Sequence, residues 1–207
     1  MYIEAAVESL GDVLAAEREG VDRIELCGTL CEGAVTPSIG LITRAFAVVK
    51  TPIHVFIRPR LGSFVYDAGD LDVMHIDIAA AKRAGAPGVV FGALTGDGVI
   101  DRVAMADLIA ASRPMVVGFH RAFDQIADQA AALETLIELG VAVVLTSGGA
   151  AKAIDGAAQL KRLVDQAAGR REILAGGGVT SENVMDTSGV SHVHGKAFRG
   201  LRAAGAR

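Results

Sequence analysis

The chain has no tryptophan, two tyrosines, five prolines and two cysteines in 207 residues. Two cysteines cannot build the disulfide framework of a small secreted domain, and they suit a reducing compartment. Nowhere do about 18 apolar residues run without interruption, so no membrane-crossing helix is expected. The start, Met1-Tyr2-Ile3-Glu4, lacks the basic and then apolar pattern of a secretory leader, and a cytoplasmic location is expected. Positive charge is also short: 20 Lys and Arg face 24 Asp and Glu, for a net charge of −4, with no basic run. Nothing therefore recommends a nucleic acid or an anionic membrane as partner. A small anion remains compatible, because local charge can oppose the total.

What the chain has is 51% hydrophobic residues and 25 glycines, arranged as short β-branched runs alternating with longer segments of helical period. Alternation of this kind is the pattern of βα units on a parallel sheet. Strands are expected near residues 2–7, 22–27, 53–60, 88–94, 115–121, 141–147, 172–176 and 191–196. Their starts fall roughly 20 to 35 residues apart, the length of a strand plus its returning helix. Thr36-Pro37 offers a helix cap followed by proline, with Ile39, Ile42, Phe46 and Val49 on one face. Leu133, Leu136 and Ile137 form another helix closed by Gly140, and Gly20 and Gly85 end two more. Met74, Met105 and Met185 fall in helical segments and Met115 in a strand, where they read as core.

Eight such units predict an α/β fold, a closed (β/α)8 TIM-type barrel in one domain over residues 1–207. The chain is short against the roughly 250 residues typical of that fold. Only about ten residues follow Lys196, two of them glycine, so the eighth helix is expected to be shortened or missing. An open doubly wound sheet is the alternative, although no G-x-G-x-x-G opens a helix.

Barrel enzymes carry their chemistry where strands end, and three strand ends here are polar: R-I-E-L-C at 23–27, I-R-P-R at 57–60 and F-H-R-A-F-D at 119–124. Residues two apart share a face of a strand. An aliphatic outer face for Ile53, Val55 and Ile57 sends His54, Arg58 and Arg60 inward; the same alternation places Glu4, Arg23, Glu25, Cys27 and His120 inside. Such charges must interlock, because an isolated buried ion costs several kcal/mol. One reading is a structural ion-pair plug. The functional reading is a mouth that binds a small anion, with Glu4, Arg58, Arg60 and Arg121 as ligand contacts. Glu25 or His120 would move a proton, and Asp124 would orient His120. Gly177 and Gly178, in A-G-G-G-V-T-S-E-N after the seventh strand, would add a phosphate cradle at a helix N-terminus, or be a simple tight turn.

Cys27 and Cys31 lie four apart across a strand end and its loop, and soft thiolates suit Cu(I), so this pair is the candidate metal site. One buried and one loop thiol is the plainer alternative. His192 and His194 share a face with Lys196 on the last strand and could join a site. Lys196 could also supply an amine nucleophile, or simply be solvated.

The segments D-R-I-E-L-C at 22–27, E-G-A-V-T-P-S at 32–38, I-R-P-R-L-G-S-F at 57–64 and F-G-A-L-T-G-D-G at 91–98 carry a resemblance, continued in order by F-H-R-A-F-D, L-T-S-G at 145–148 and A-G-G-G-V at 175–179. Together they make the chain similar to the copper homeostasis protein CutC family. The resemblance implies a cytoplasmic TIM-type barrel, often a homodimer, with a role in copper handling and copper as a possible ligand. Family members often carry a cysteine near the start of the first strand, where this chain reads Glu4-Ala5-Ala6-Val7. Two functions are therefore carried forward. One is a copper-binding homeostasis protein. The other is a barrel enzyme acting on a small phosphorylated or carboxylated, sugar-like substrate.

Overall fold

The computed structural model describes residues 1–184, 190–196 and 199–201. The expectations for Met185 and for most of an eighth helix fall outside these residues. Eight parallel strands close in sequence order: β1 (Tyr2–Val7), β2 (Arg23–Leu26), β3 (Ile53–Phe56), β4 (Gly88–Phe91), β5 (Val116–Phe119), β6 (Val143–Thr146), β7 (Glu172–Gly176) and β8 (His192–Gly195). β8 returns to β1, so that Glu4 lies in register with Arg23 on one side and His194 on the other. The first six strands are each followed by a helix: α1 (Leu10–Arg18), α2 (Ile39–Val48), α3 (Ala68–Arg83), α4 (Arg102–Ser112), α5 (Gln129–Leu139) and α6 (Ala157–Ala167). The expected (β/α)8 barrel is therefore the fold.

Local chemistry explains the boundaries. Ser9, Ser38, Asp67, Asp101 and Asp128 each cap a helix by accepting a backbone N–H of its first turn. Thr36 is not the cap of α2. Its hydroxyl accepts the N–H of Arg58 and donates to the Arg58 carbonyl, which also takes the Thr36 N–H. That clasp draws the chain out of the β3 ladder, which ends at Phe56 instead of Arg60. Gly140 closes α5 at φ 85°, as its position after Leu139 predicts.

The outer face of the barrel is aliphatic. Ile3, Ile24, Ile53, Val89, Val144 and Val193 pack with the inner faces of the helices in one continuous core, which includes Met74 and Met105. The interior divides in two. Val90, Val143, Leu145 and Leu174 fill the side of β4, β6 and β7, whereas Glu4, Arg23, Glu25, His54 and His194 fill the side of β8 and β1 to β3. Gly88 makes room for one of these polar groups: a Cβ there would lie 2.4 Å from the His54 ring.

Candidate functional site

Four charged residues on three adjacent strands form the polar half. Glu4 on β1 accepts from Arg23 Nε on β2 in a very short ion pair and meets His194 Nδ1 on β8 at 2.7 Å. His194 Nε2 points to Glu25 Oε2 at 3.6 Å. Burial alone would raise Glu4, but the His194 hydrogen bond and the charges of Arg23 and His194 outweigh it and hold the carboxyl at about 2. Glu25 has no guanidinium of its own. Burial pushes it up to about 7, with the charge of Glu4 adding to the shift and His194 opposing it. Burial works against the imidazolium of His194, yet Glu25 and Glu4 raise its pKa. Two carboxylates thus share one imidazole: Arg23 and His194 favour the anion on Glu4, whereas burial favours the proton on Glu25. The second oxygen of Glu25, Oε1, is buried without a hydrogen-bond partner.

Above this cluster, at the C-terminal ends of the strands, opens a cavity of about 270 Å³ lined by Glu25, Cys31, Phe56, His120, Arg121 and Lys196 among others. His120, just past β5, is stacked against Phe56 with ring centroids 5.2 Å apart and tilted against Phe64 at 4.7 Å. Burial, together with the neighbouring Arg58 charge, holds it neutral with a pKa lowered to about 3. Arg121 bonds Asp124 through Nε at 2.7 Å and Ser147 Oγ through Nη2 at 2.8 Å. It lies across Gly177, where a Cβ would come within 3.2 Å of the guanidinium. A wider hollow of about 380 Å³ opens at the opposite end, lined by Arg170, Arg171, Glu172 and His192. The strand-end motifs converge on the smaller cavity, which also sits on the face where barrels of this kind do chemistry.

A family model, the CutC family, matches residues 1–199. The copper homeostasis protein cutC homolog of Homo sapiens is 47% identical over 195 residues, 93% of this chain and 71% of that protein. The chain belongs to the CutC family. The family protein CutC of Aliivibrio fischeri is 45% identical over 206 residues, 96% of this chain and 83% of that one. A crystal structure assigned to the copper homeostasis protein CutC of Streptococcus agalactiae superposes with a TM-score of 0.91 at 35% identity, covering 96% of this chain and 99% of that one. An aldolase, QR15, shares the fold alone, with a TM-score of 0.71 at 16% identity over 95% of this chain and 90% of its own.

On the CutC barrel the expected residues divide. Glu4, Glu25 and His120 are inside, as strand alternation requires. Arg58 is buried, but its guanidinium donates to the carbonyls of Gly33, Ala34 and Gly62 and lies over the Phe64 ring at 4.5 Å. It braces the wall of the cavity from behind. Arg60 does not point inward: β3 has already ended, and Arg60 reaches over the rim to Asp70 at 2.7 Å. Asp124 does not orient His120 among the described contacts. It accepts from Thr146 Oγ1 and from the N–H groups of Ser147 and Gly149, besides pairing with Arg121. In the A-G-G-G-V-T-S-E-N stretch the Thr180 N–H is taken by Asn183 Oδ1 and Gly178 packs on Lys152; the helix expected after it falls mostly on residues 185–189, outside the described ones. Sequence reasoning undervalued Arg23 and His194. Their signal was present, since Arg23 shares a face with Glu25 and His194 with Lys196.

Copper can be weighed against these residues. Cys27 is buried, its Sγ lies 3.5 Å from Glu25 Oε2, and burial with the Glu25 charge pushes its thiol well above the ordinary range. Cys31 is exposed on a short 3-10 turn, Leu30–Glu32. A protonated buried thiol is a poor ligand. Among the described residues, the convergence of three ligating side chains is Glu4, Glu25 and His194, whose ligand atoms all lie within 4.8 Å of one another. One imidazole with carboxylates is a borderline to hard donor set that fits Cu(II) better than Cu(I).

Proposed function

We propose that this CutC protein serves copper homeostasis by holding a copper ion in the barrel interior, at His194 Nε2 and Glu25, with Glu4 supporting the imidazole from its other nitrogen. The observation that carries this reading is the buried, unpartnered Glu25 Oε1 beside an imidazole whose Nδ1 is already engaged by a carboxylate. A carboxylate behind a ligating histidine is the usual arrangement that fixes its tautomer and raises its basicity. The family and the names of its relatives supply the choice of copper. Cys31 is exposed and lines the same cavity, which supports a role in meeting an incoming ion.

Titration of the protein with copper against a competing chelator tests this. His194→Gln and Glu25→Gln should each weaken binding by about tenfold or more, the size expected when a ligand or its support is lost. Equal affinity in wild type and both variants would end the reading.

A second reading, a small organic anion bound in the cavity, is favoured by Lys196. It lines the cavity, and among the described residues no carboxylate pairs with it, whereas Arg121 is matched by Asp124. The protein is read as cytoplasmic, from its two unpaired cysteines. Among the described residues no helix is long and apolar enough to cross a membrane. It is also read as a homodimer.

A further inference from the structure

His120 is the most constrained group in the cavity that no ion pair explains. The N–H of Ala122 donates to its Nδ1 at 3.2 Å, so Nδ1 is an acceptor and the proton of the neutral ring sits on Nε2. Nε2 is buried with no hydrogen-bond partner. An orphaned buried donor costs about 1 to 3 kcal/mol, and structures retain one where a partner arrives later. The ring cannot swing away to find water, because Phe56 and Phe64 pack on it. Gly92 leaves no slack on a further side: a Cβ there would lie 2.9 Å from the imidazole. The group is thus a tightly held, uncharged imidazole with an unpartnered N–H, on the lining of a cavity that Phe56, Phe64 and Leu145 also line.

Charge narrows what brings that acceptor. Lys196 supplies one positive charge unmatched by a carboxylate among the described residues, while the charge of Arg121 is cancelled at 2.7 Å by Asp124. Glu25, also on the lining, keeps its proton up to about pH 7, so one surplus cation remains and suits a monoanion better than a phosphate dianion. A neutral imidazole N–H suits a carbonyl oxygen, and the apolar walls suit a short hydrocarbon body. A volume of about 270 Å³ is below the roughly 300 to 1,000 Å³ of drug-sized pockets and admits a small metabolite.

We infer that the mouth binds a small carboxylate carrying a carbonyl, of the 2-oxo acid class, with its carbonyl oxygen on His120 Nε2 and its carboxylate toward Lys196. This rests on the second reading above, that the cavity takes a small organic anion. It uses atoms other than those proposed to hold copper.

Calorimetric titration of the 207-residue chain, dialysed against chelator, provides the test, with 4-methyl-2-oxopentanoate, 4-methylpentanoate and orthophosphate as probes. The oxo acid should bind, and its analogue without the carbonyl about tenfold more weakly, the worth of one buried hydrogen bond. His120→Phe and Lys196→Met should each weaken the oxo acid by a similar factor while leaving copper affinity unchanged. Lys196 stands at the rim, so its variant keeps the test alive if His120→Phe fails to fold. Equal binding of the two acids, or binding indifferent to both substitutions, overturns the inference. Binding of orthophosphate alone also overturns it while sparing the broader anion reading, and no binding of any probe at millimolar concentration overturns both.

Discussion

At the scale of the residue, the polar interior is a contest between burial and charge. Glu4 has Arg23 and His194 and is held at about 2, whereas Glu25, 3.6 Å from one shared imidazole, is left at about 7. The difference sets a pH dependence. Between the ordinary 4.5 and 7 the folded chain retains a proton on Glu25 that the unfolded chain releases, so this residue makes stability fall as pH rises through that window. Glu25→Gln has no such loss. At pH 8 denaturant unfolding should find the variant more stable than wild type by on the order of 1 to 3 kcal/mol, with the gap closing below pH 4.5. A gap that widens towards acid would contradict this assignment. His54 and His120 act in the opposite sense, because burial lowers them to about 4 and about 3. Their contribution is lost as pH falls from 6.5 toward those values.

Which residues face inward was legible from alternation alone for Glu4, Arg23, Glu25 and His120, because a strand leaves a side chain two choices. Arg60 shows the limit. Alternation holds only while the chain stays in the ladder, and Thr36, 22 residues away from Arg58, ends it early. The pairing of Arg58 with three loop carbonyls was likewise beyond sequence, since it depends on how two separate loops fold over the mouth.

At the scale of the element, short strands and capped helices were readable because their signals are local: Gly140 after α5, and alternating runs for each strand. The fit between strands was not. Gly88 reads as an ordinary strand start, yet its lack of a Cβ is what admits His54. Gly88→Ala should cost about 1 to 3 kcal/mol, the usual range for overpacking a tight core. Adding His54→Ala should recover most of that loss, giving a clear coupling in a double-mutant cycle. Additive costs would mean the ring does not occupy that space.

At the scale of the whole molecule, the barrel interior is divided into an apolar half and a charged half, and the cavity sits above the line between them. Apolar side chains such as Phe56, Phe64 and Leu145 line the cavity together with Glu25, His120, His194 and Lys196, and the two proposed ligands use different members of that lining. Assembly belongs to this scale too. Val73 and Ile76 on α3 and Val103 on the neighbouring α4 are exposed, and a homodimer would give such side chains cover. Sedimentation at micromolar concentration should give twice the mass of the 21.3 kDa chain, and a monomer would contradict it. The closed barrel and the family were visible in the order of the strand-end motifs. The identity of the interior cluster was not, because His194 comes from the far end of the chain and meets Glu4 only when β8 closes on β1.

The electron paramagnetic resonance spectrum of the Cu(II)-loaded protein decides whether copper sits in the barrel interior. A single bound ion with one imidazole nitrogen and carboxylate oxygens is expected, lost in His194→Gln and Glu25→Gln and retained in Cys27→Ser and Cys31→Ser. A spectrum that survives both interior substitutions, with binding abolished instead by loss of the two thiols, would contradict it.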